Sequence, residues 1–200
     1  MKLLTENMKQ YAMSYESPTR FKHSVRVAKM AAKLSKKHGV DPEKAYLAGL
    51  AHDLCKEMGT DALINFAQAD GLPILDIEKN KPSLLHGRAA AVVIQNFFHV
   101  EDKDILEAIR YHTSGKPFMG DLAKIVYVAD KIEPKRPQVN KMYYNKLFAL
   151  DLDSMVYCVV QESIDYLNSK HKIVFESTKK LLESLESSKN YDIVKQKSCI

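Results

Sequence analysis

Between a Ser17-Pro18 start signal and the glycine at 39, apolar residues recur at helical spacing. His23, Val27, Met30 and Leu34 fall at i, i+4, i+7 and i+11, so one face of a long helix is apolar and carries an imidazole inward with it. Serine before proline supplies an N-cap and a ring-fixed first helical position, and Gly39 supplies the stop. The same grammar repeats along the chain. Asp41-Pro42 opens a helix with Ala45, Ala48 and His52 on one stripe. No long segment alternates apolar and polar residues, and Gly and Pro number seven each in 200 residues. The fold expected is all-α, a single-domain helical bundle.

Further helices are expected at Thr5 to Tyr15, Thr60 to Gly71, from Ser83, from about Asp102 to His112, and from Asp121 to the break at 133–137. Val139 to Phe148, Leu152 to Leu167 and Ile173 to Leu185 complete the core. The segment Asp76 to Pro82 is polar enough to be a surface loop. In the helix from Ser83, the spacing places His86, Ala90, Val93 and Phe97 on one inward face. With no repeat, linker or second core, residues 1–187 read as one domain, and 188–200 as a frayed polar tail.

Composition removes several function classes. No apolar run approaches the ~20 residues of a membrane span. The opening residues 1–7 lack a secretory signal, so a cytoplasmic protein is expected. Three widely spaced cysteines, Cys55, Cys158 and Cys199, suit reduced thiols and give no zinc-knuckle spacing. A net charge of +5 without a basic tail or Arg-Gly runs suits an anionic small molecule better than nucleic acid. Neither membrane nor nucleic acid is expected as a partner, and a homodimer is left open.

The polar residues on or beside the apolar stripes are His23, His52, Asp53, His86, His112 and Asp130. Taken singly, a histidine on an apolar face is more often a hydrogen-bonded core residue than a ligand. Together they would cost several kcal/mol to bury uncompensated, whereas a divalent cation joins them and balances their charge. Neighbours on a helix point about 100° apart, so His52 and Asp53 can share one ion only at a helix end. Other segments must then supply the remaining ligands.

The pattern of a His, a His-Asp pair and a distant Asp resembles the HD-domain metal-dependent phosphohydrolases. Five segments, 20–25, 50–56, 84–87, 108–115 and 127–136, resemble in order the YqeK branch of that superfamily, covering about residues 18–137. The resemblance implies an HD helical fold with a metal site in its core and symmetrical hydrolysis of diadenosine tetraphosphate to two ADP. It implies His23, His52, Asp53 and Asp130 as metal ligands, with iron as the metal. Nitrogen and oxygen donors without thiolate equally suit manganese or zinc. The mechanism expected is in-line attack of a metal-bound hydroxide, Asp53 being central to it, on the polyphosphate bridge.

His86 and His112 carry two readings. They contact phosphate or give a proton to the leaving ADP, which is the role adopted, or they hold a second ion as in two-metal relatives. Arg20, Lys56 and Arg136 are the expected substrate cations, with Arg88 and Lys135 as further candidates. Thr113 and Gly115 would admit a phosphate to the backbone, Tyr111 would stack on a base or belong to the core, and Cys55 packs as a small hydrophobe. Two alternatives keep the fold: a hydrolase of mononucleotides or deoxynucleotides, and a nucleotide-binding module without turnover.

Overall fold

A computed structural model describes residues 1–187, and the expected frayed tail lies outside the described residues. Among the described residues there are eleven α-helices, one 3-10 turn and no strand. They are α1 (Lys2–Tyr15), α2 (Pro18–His38), α3 (Pro42–Ala51), α4 (Thr60–Gln68), α5 (Asp76–Asn80), the 3-10 turn Pro82–Leu85, α6 (His86–Phe98), α7 (Lys103–Tyr111), α8 (Asp121–Ile132), α9 (Lys141–Phe148), α10 (Leu152–Ser169) and α11 (Glu176–Glu186). The all-α expectation holds. No described helix is long and apolar enough to cross a membrane.

The start signals act as their chemistry dictates. Ser17 Oγ accepts the Arg20 N–H, Asp41 accepts from the N–H groups of Glu43 and Lys44, and both helices begin with proline. α2 ends with Gly39 in the left-handed conformation. The predicted stripe is buried: Val27 and Leu34 are inaccessible, and Met30 and His23 nearly so.

α2 lies along α3 and α8, α7 bridges α6 and α8, and α10 backs α8. The α2–α3 contact is backbone against backbone. A Cβ at Gly49 would stand 2.8 Å from Ala28 Cα and 3.2 Å from the Val27 carbonyl, so only glycine admits the approach that brings the His23 and His52 rings to 5.3 Å.

Two expectations fail locally. The polar segment after Leu75 forms the short helix α5, with Glu78 buried rather than solvated. The cause is Arg88 on α6, which draws Glu78 inward at 2.9 Å. Phe97 is 63% exposed despite its place on the α6 stripe, because among the described residues no element covers the last turn and Phe66 meets it only edge-on.

Candidate metal and phosphate site

The inward histidines reach the centre from helix ends. His52, His86 and His112 are the C-cap residues of α3, of the 3-10 turn and of α7. Each ring places Nδ1 2.7 Å from a carbonyl three residues back, of Gly49, Ser83 and Ile109 respectively. A carbonyl only accepts, so each ring donates from Nδ1 there and Nε2 is the atom turned toward the centre. Asp53 follows in the turn after α3, where the chain bends as the His-Asp pair requires.

From inside α2, His23 puts Nε2 3.1 Å from Asp130 Oδ1 at the end of α8 and 3.8 Å from Asp53 Oδ2. His52 Nε2 stands 3.5 Å from Asp53 Oδ2 and 3.8 Å from Asp130 Oδ1. Both Nε2 atoms are buried without a hydrogen-bond partner. Two inward lone pairs facing two carboxylates are unfavourable unless positive charge lies among them. His23, His52 and Asp130 form one group of donors within 4.8 Å of each other that can hold a metal ion, and His52, Asp53 and His112 form another.

Burial works against a charged carboxylate at Asp53, yet the imidazoles of His52, His112 and His86 around it outweigh burial and hold the carboxyl well below its usual range. Asp130 is likewise pushed up by burial and brought well below by Lys131, His23, His52 and Arg136. Both are anionic at neutral pH. Burial lowers His52, and it lowers His112 to about 3, so these rings are neutral. The centre thus sets the neutral nitrogens of His52 and His112 against two ionised carboxylates.

His86 and His112 meet on the far side of Asp53. Their Nε2 atoms are 3.0 Å apart, and each also faces Asp53 Oδ1, at 3.1 and 3.5 Å. The Lys56 ammonium donates toward His86 Nε2 at 3.2 Å, and Thr113 Oγ1 lies 3.2 and 3.0 Å from the two rings. Gly87 makes this pairing feasible. A Cβ there would stand 2.9 Å from the Arg110 carbonyl and 3.1 Å from His112 Nδ1.

Cations border the carboxylates. Arg20 Nη1 donates to Asp53 Oδ2 at 2.6 Å, Lys131 Nζ to Asp130 Oδ2 at 3.2 Å and to the His112 carbonyl at 2.9 Å, and Arg136 to the Asp130 side chain and, at 2.7 Å, to its carbonyl. Arg20, Lys56, Lys131 and Arg136 all remain partly exposed.

Other candidates fall elsewhere. Arg88 is not a substrate cation: it is 8% exposed, with its guanidinium spread over Asp70, Glu78 and three carbonyls. Gly115 is not an opening for phosphate, because Leu181 Cδ2 lies 2.4 Å from where its Cβ would be and α11 fills the space. Lys135 is exposed and contributes its backbone N–H to Glu133. Tyr111 is partly buried against the core, with Lys116 over its ring. Cys55 is buried, which pushes its thiol up to about 12, and it serves as packing.

Lys131, Arg26 and Glu133 are participants that the motif reading leaves out. The sequence carried a signal for two of them, since Arg26 is three residues from His23 and Glu133 three from Asp130, the spacing of one helix face.

Comparison with known proteins gives a consistent picture. The family model described as HD domain matches residues 20–135. A Bacillus subtilis protein named "Bis(5'-nucleosyl)-tetraphosphatase, symmetrical" is 35% identical over 161 residues, 80% of this chain and 85% of the relative. A Staphylococcus aureus protein of the same name is 30% identical over 178 residues, 86% and 90% of the two chains. The crystal structure of a predicted HD superfamily hydrolase involved in NAD metabolism from Clostridium acetobutylicum superposes with a TM-score of 0.85 at 30% identity, covering 91% of this chain and 96% of that one.

Proposed function

The chain belongs to the HD domain family and is a hydrolase of it, and from that premise we propose that it cleaves diadenosine tetraphosphate symmetrically to two ADP in the cytoplasm, residues 1–187 acting as one unit. One divalent ion, iron, is held by His23, His52, Asp53 and Asp130. The observation that carries this reading is the pair of buried, partnerless Nε2 atoms of His23 and His52 opposite two ionised carboxylates. A divalent ion bound there supplies Lewis acidity: it lowers the pKa of water toward ~7 and offsets charge on a phosphoryl oxygen.

The remaining roles belong to side chains. Arg20, Lys56 and Arg136 oppose the phosphate charge, Arg as a fork and Lys as a point charge. When phosphate arrives, Arg20 and Arg136 can exchange Asp53 and Asp130 for phosphate oxygens, keeping the balance of charge. Thr113 Oγ1 donates to one oxygen between the two imidazoles. The names of the relatives support the dinucleoside substrate, and the density of cations beside the carboxylates supports a polyphosphate over a singly charged ligand.

A second reading concerns His86 and His112. At about 3, His112 presents a lone pair at neutral pH and not a proton. With His86 Nε2 only 3.0 Å away and Asp53 Oδ1 beside both, this favours a second ion over a role for His112 as the acid. Metal analysis of protein purified without chelator, paired with identification of the products from diadenosine tetraphosphate, tests the whole. ADP alone, with one or two ions per chain, is expected. ATP plus AMP would refute symmetrical cleavage, turnover confined to mononucleotides would refute the substrate, and binding without turnover after iron and manganese loading would leave a non-catalytic module.

A further inference from the structure

Among the described residues, four imidazoles point into the centre, and three are anchored alike. His52, His86 and His112 are helix C-caps, where carbonyls of the last turn lack a partner in the ladder. A ring can take such a carbonyl without breaking the helix. His23 has no such option. It lies inside α2, where the carbonyl four residues back already accepts from its own backbone N–H. Its Nδ1 needs an acceptor from elsewhere.

Glu133, at the end of α8, supplies one with Oε1 3.2 Å from His23 Nδ1. The carboxylate is 2% exposed and is itself held. Arg26 donates through Nε to Oε2 at 2.6 Å and through Nη2 to Oε1 at 3.1 Å, and the Lys135 N–H donates to Oε2 at 2.8 Å. With three donors already on it, the carboxylate meets His23 as an acceptor for Nδ1–H, and Nε2 is the ring atom left to face Asp130.

We propose that Glu133, clamped by Arg26, is the positioning residue of His23, fixing its ring plane and its tautomer so that Nε2 is presented bare to the centre. The role rests on the reading of His23 as a metal ligand. A carboxylate behind a ligating imidazole also enriches the ring in electron density, which a carbonyl does less strongly. His23 is therefore the ligand most sensitive to the residue behind it.

The test begins with unaltered, metal-free protein. Nitrogen-15 NMR of the imidazoles, with the His23 signal assigned by its loss in His23→Gln, is expected to show a proton on Nδ1, whatever Nε2 carries opposite Asp130 in the absence of metal; an unprotonated Nδ1 overturns the proposal with no need of a Glu133 variant. Mn²⁺ is then titrated without nucleotide into the parent, Glu133→Ala and Glu133→Gln. The dissociation constant is expected to rise about 10–100-fold in Glu133→Ala. Glu133→Gln, which keeps an oxygen for the Nδ1–H, is expected to recover part of that loss. No recovery assigns the loss to charge alone and overturns the tautomer role. Equal affinity of parent and Glu133→Ala overturns the positioning role and leaves the metal reading intact. A parent that binds no Mn²⁺ overturns the metal reading, and the proposal with it.

Discussion

Replacing Arg88 by methionine separates a structural cation from a substrate contact. The guanidinium donates to Asp70 at 2.8 and 2.9 Å, to Glu78 at 2.9 Å, and to the carbonyls of Leu72, Pro73 and Ala67 at 2.8, 3.0 and 3.4 Å. The carboxylates it serves are 0% and 6% exposed, so neither can turn to water when it is lost. Removing one partner of a buried ionic group costs about 3–5 kcal/mol, chiefly for the stranded charge. Arg110 Nε, 3.8 Å from Asp70, softens this and places the expectation at the lower end, about 3 kcal/mol. For a chain of this size that lowers Tm by about 6–12 °C. Urea unfolding, followed by circular dichroism on parent and Arg88→Met, reads the difference directly. Adding Asp70→Asn and Glu78→Gln removes the stranded charges and should recover part of the loss. A change below about 1 kcal/mol in stability, accompanied by a large rise in KM, would refute the reasoning and return Arg88 to the substrate.

Asp53→Asn is expected to abolish turnover and to weaken Mn²⁺ binding while the far-ultraviolet circular dichroism stays at the parent value; retained turnover removes Asp53 from the centre. His112→Ala, assayed by metal analysis at saturation, is expected to lower the stoichiometry from two ions to one if His86 and His112 hold an ion, and an unchanged count of one assigns them to phosphate. Gly87→Ala forces a Cβ to within 3.1 Å of two carbonyls and His112 Nδ1, so an overpacking cost of about 1–3 kcal/mol and a fall in kcat are expected; parent-like melting and kcat would show that α6 and α7 can part freely. Burial raises Glu16 from 4.5 to about 7. Its contribution to stability is therefore full below pH 4.5 and is lost as pH rises through about 7. In metal-free protein, Glu16→Gln should gain stability relative to the parent between pH 5 and 8, and a pH-independent difference between the two would contradict the shift.

Much of this architecture was legible because local chemistry and burial agree. Ser17-Pro18, Asp41-Pro42 and Gly39 mark helix ends that the structure keeps, and the stripe from His23 to Leu34 is buried as its spacing requires. The identity of the inward polar residues was legible for the same reason. What could not be read is which polar residues find each other across the chain. Arg88 looked like a cation for substrate because it is two residues from His86, while its partners lie upstream, Asp70 at the end of an expected helix and Glu78 in a stretch whose composition suggests solvent. α5 was missed with them, since an isolated polar five-residue helix has no apolar period to detect. Phe97 kept the period of its helix and lost its burial because, among the described residues, no neighbour covers that turn. Gly115 looked like an opening for a ligand, and only the packing of α11 shows that Leu181 occupies the space.

The spread of the centre along the chain has a bearing on biosynthesis. His23 emerges early, yet the carboxylate behind its ring is encoded 110 residues later. At ordinary elongation rates that separation amounts to roughly 5–20 s. Throughout that interval the first imidazole is on a nascent helix with neither its backing group nor Asp130 in place. The site therefore cannot be complete until α8 docks, and whatever cation is abundant at that moment has the first opportunity to meet the full set.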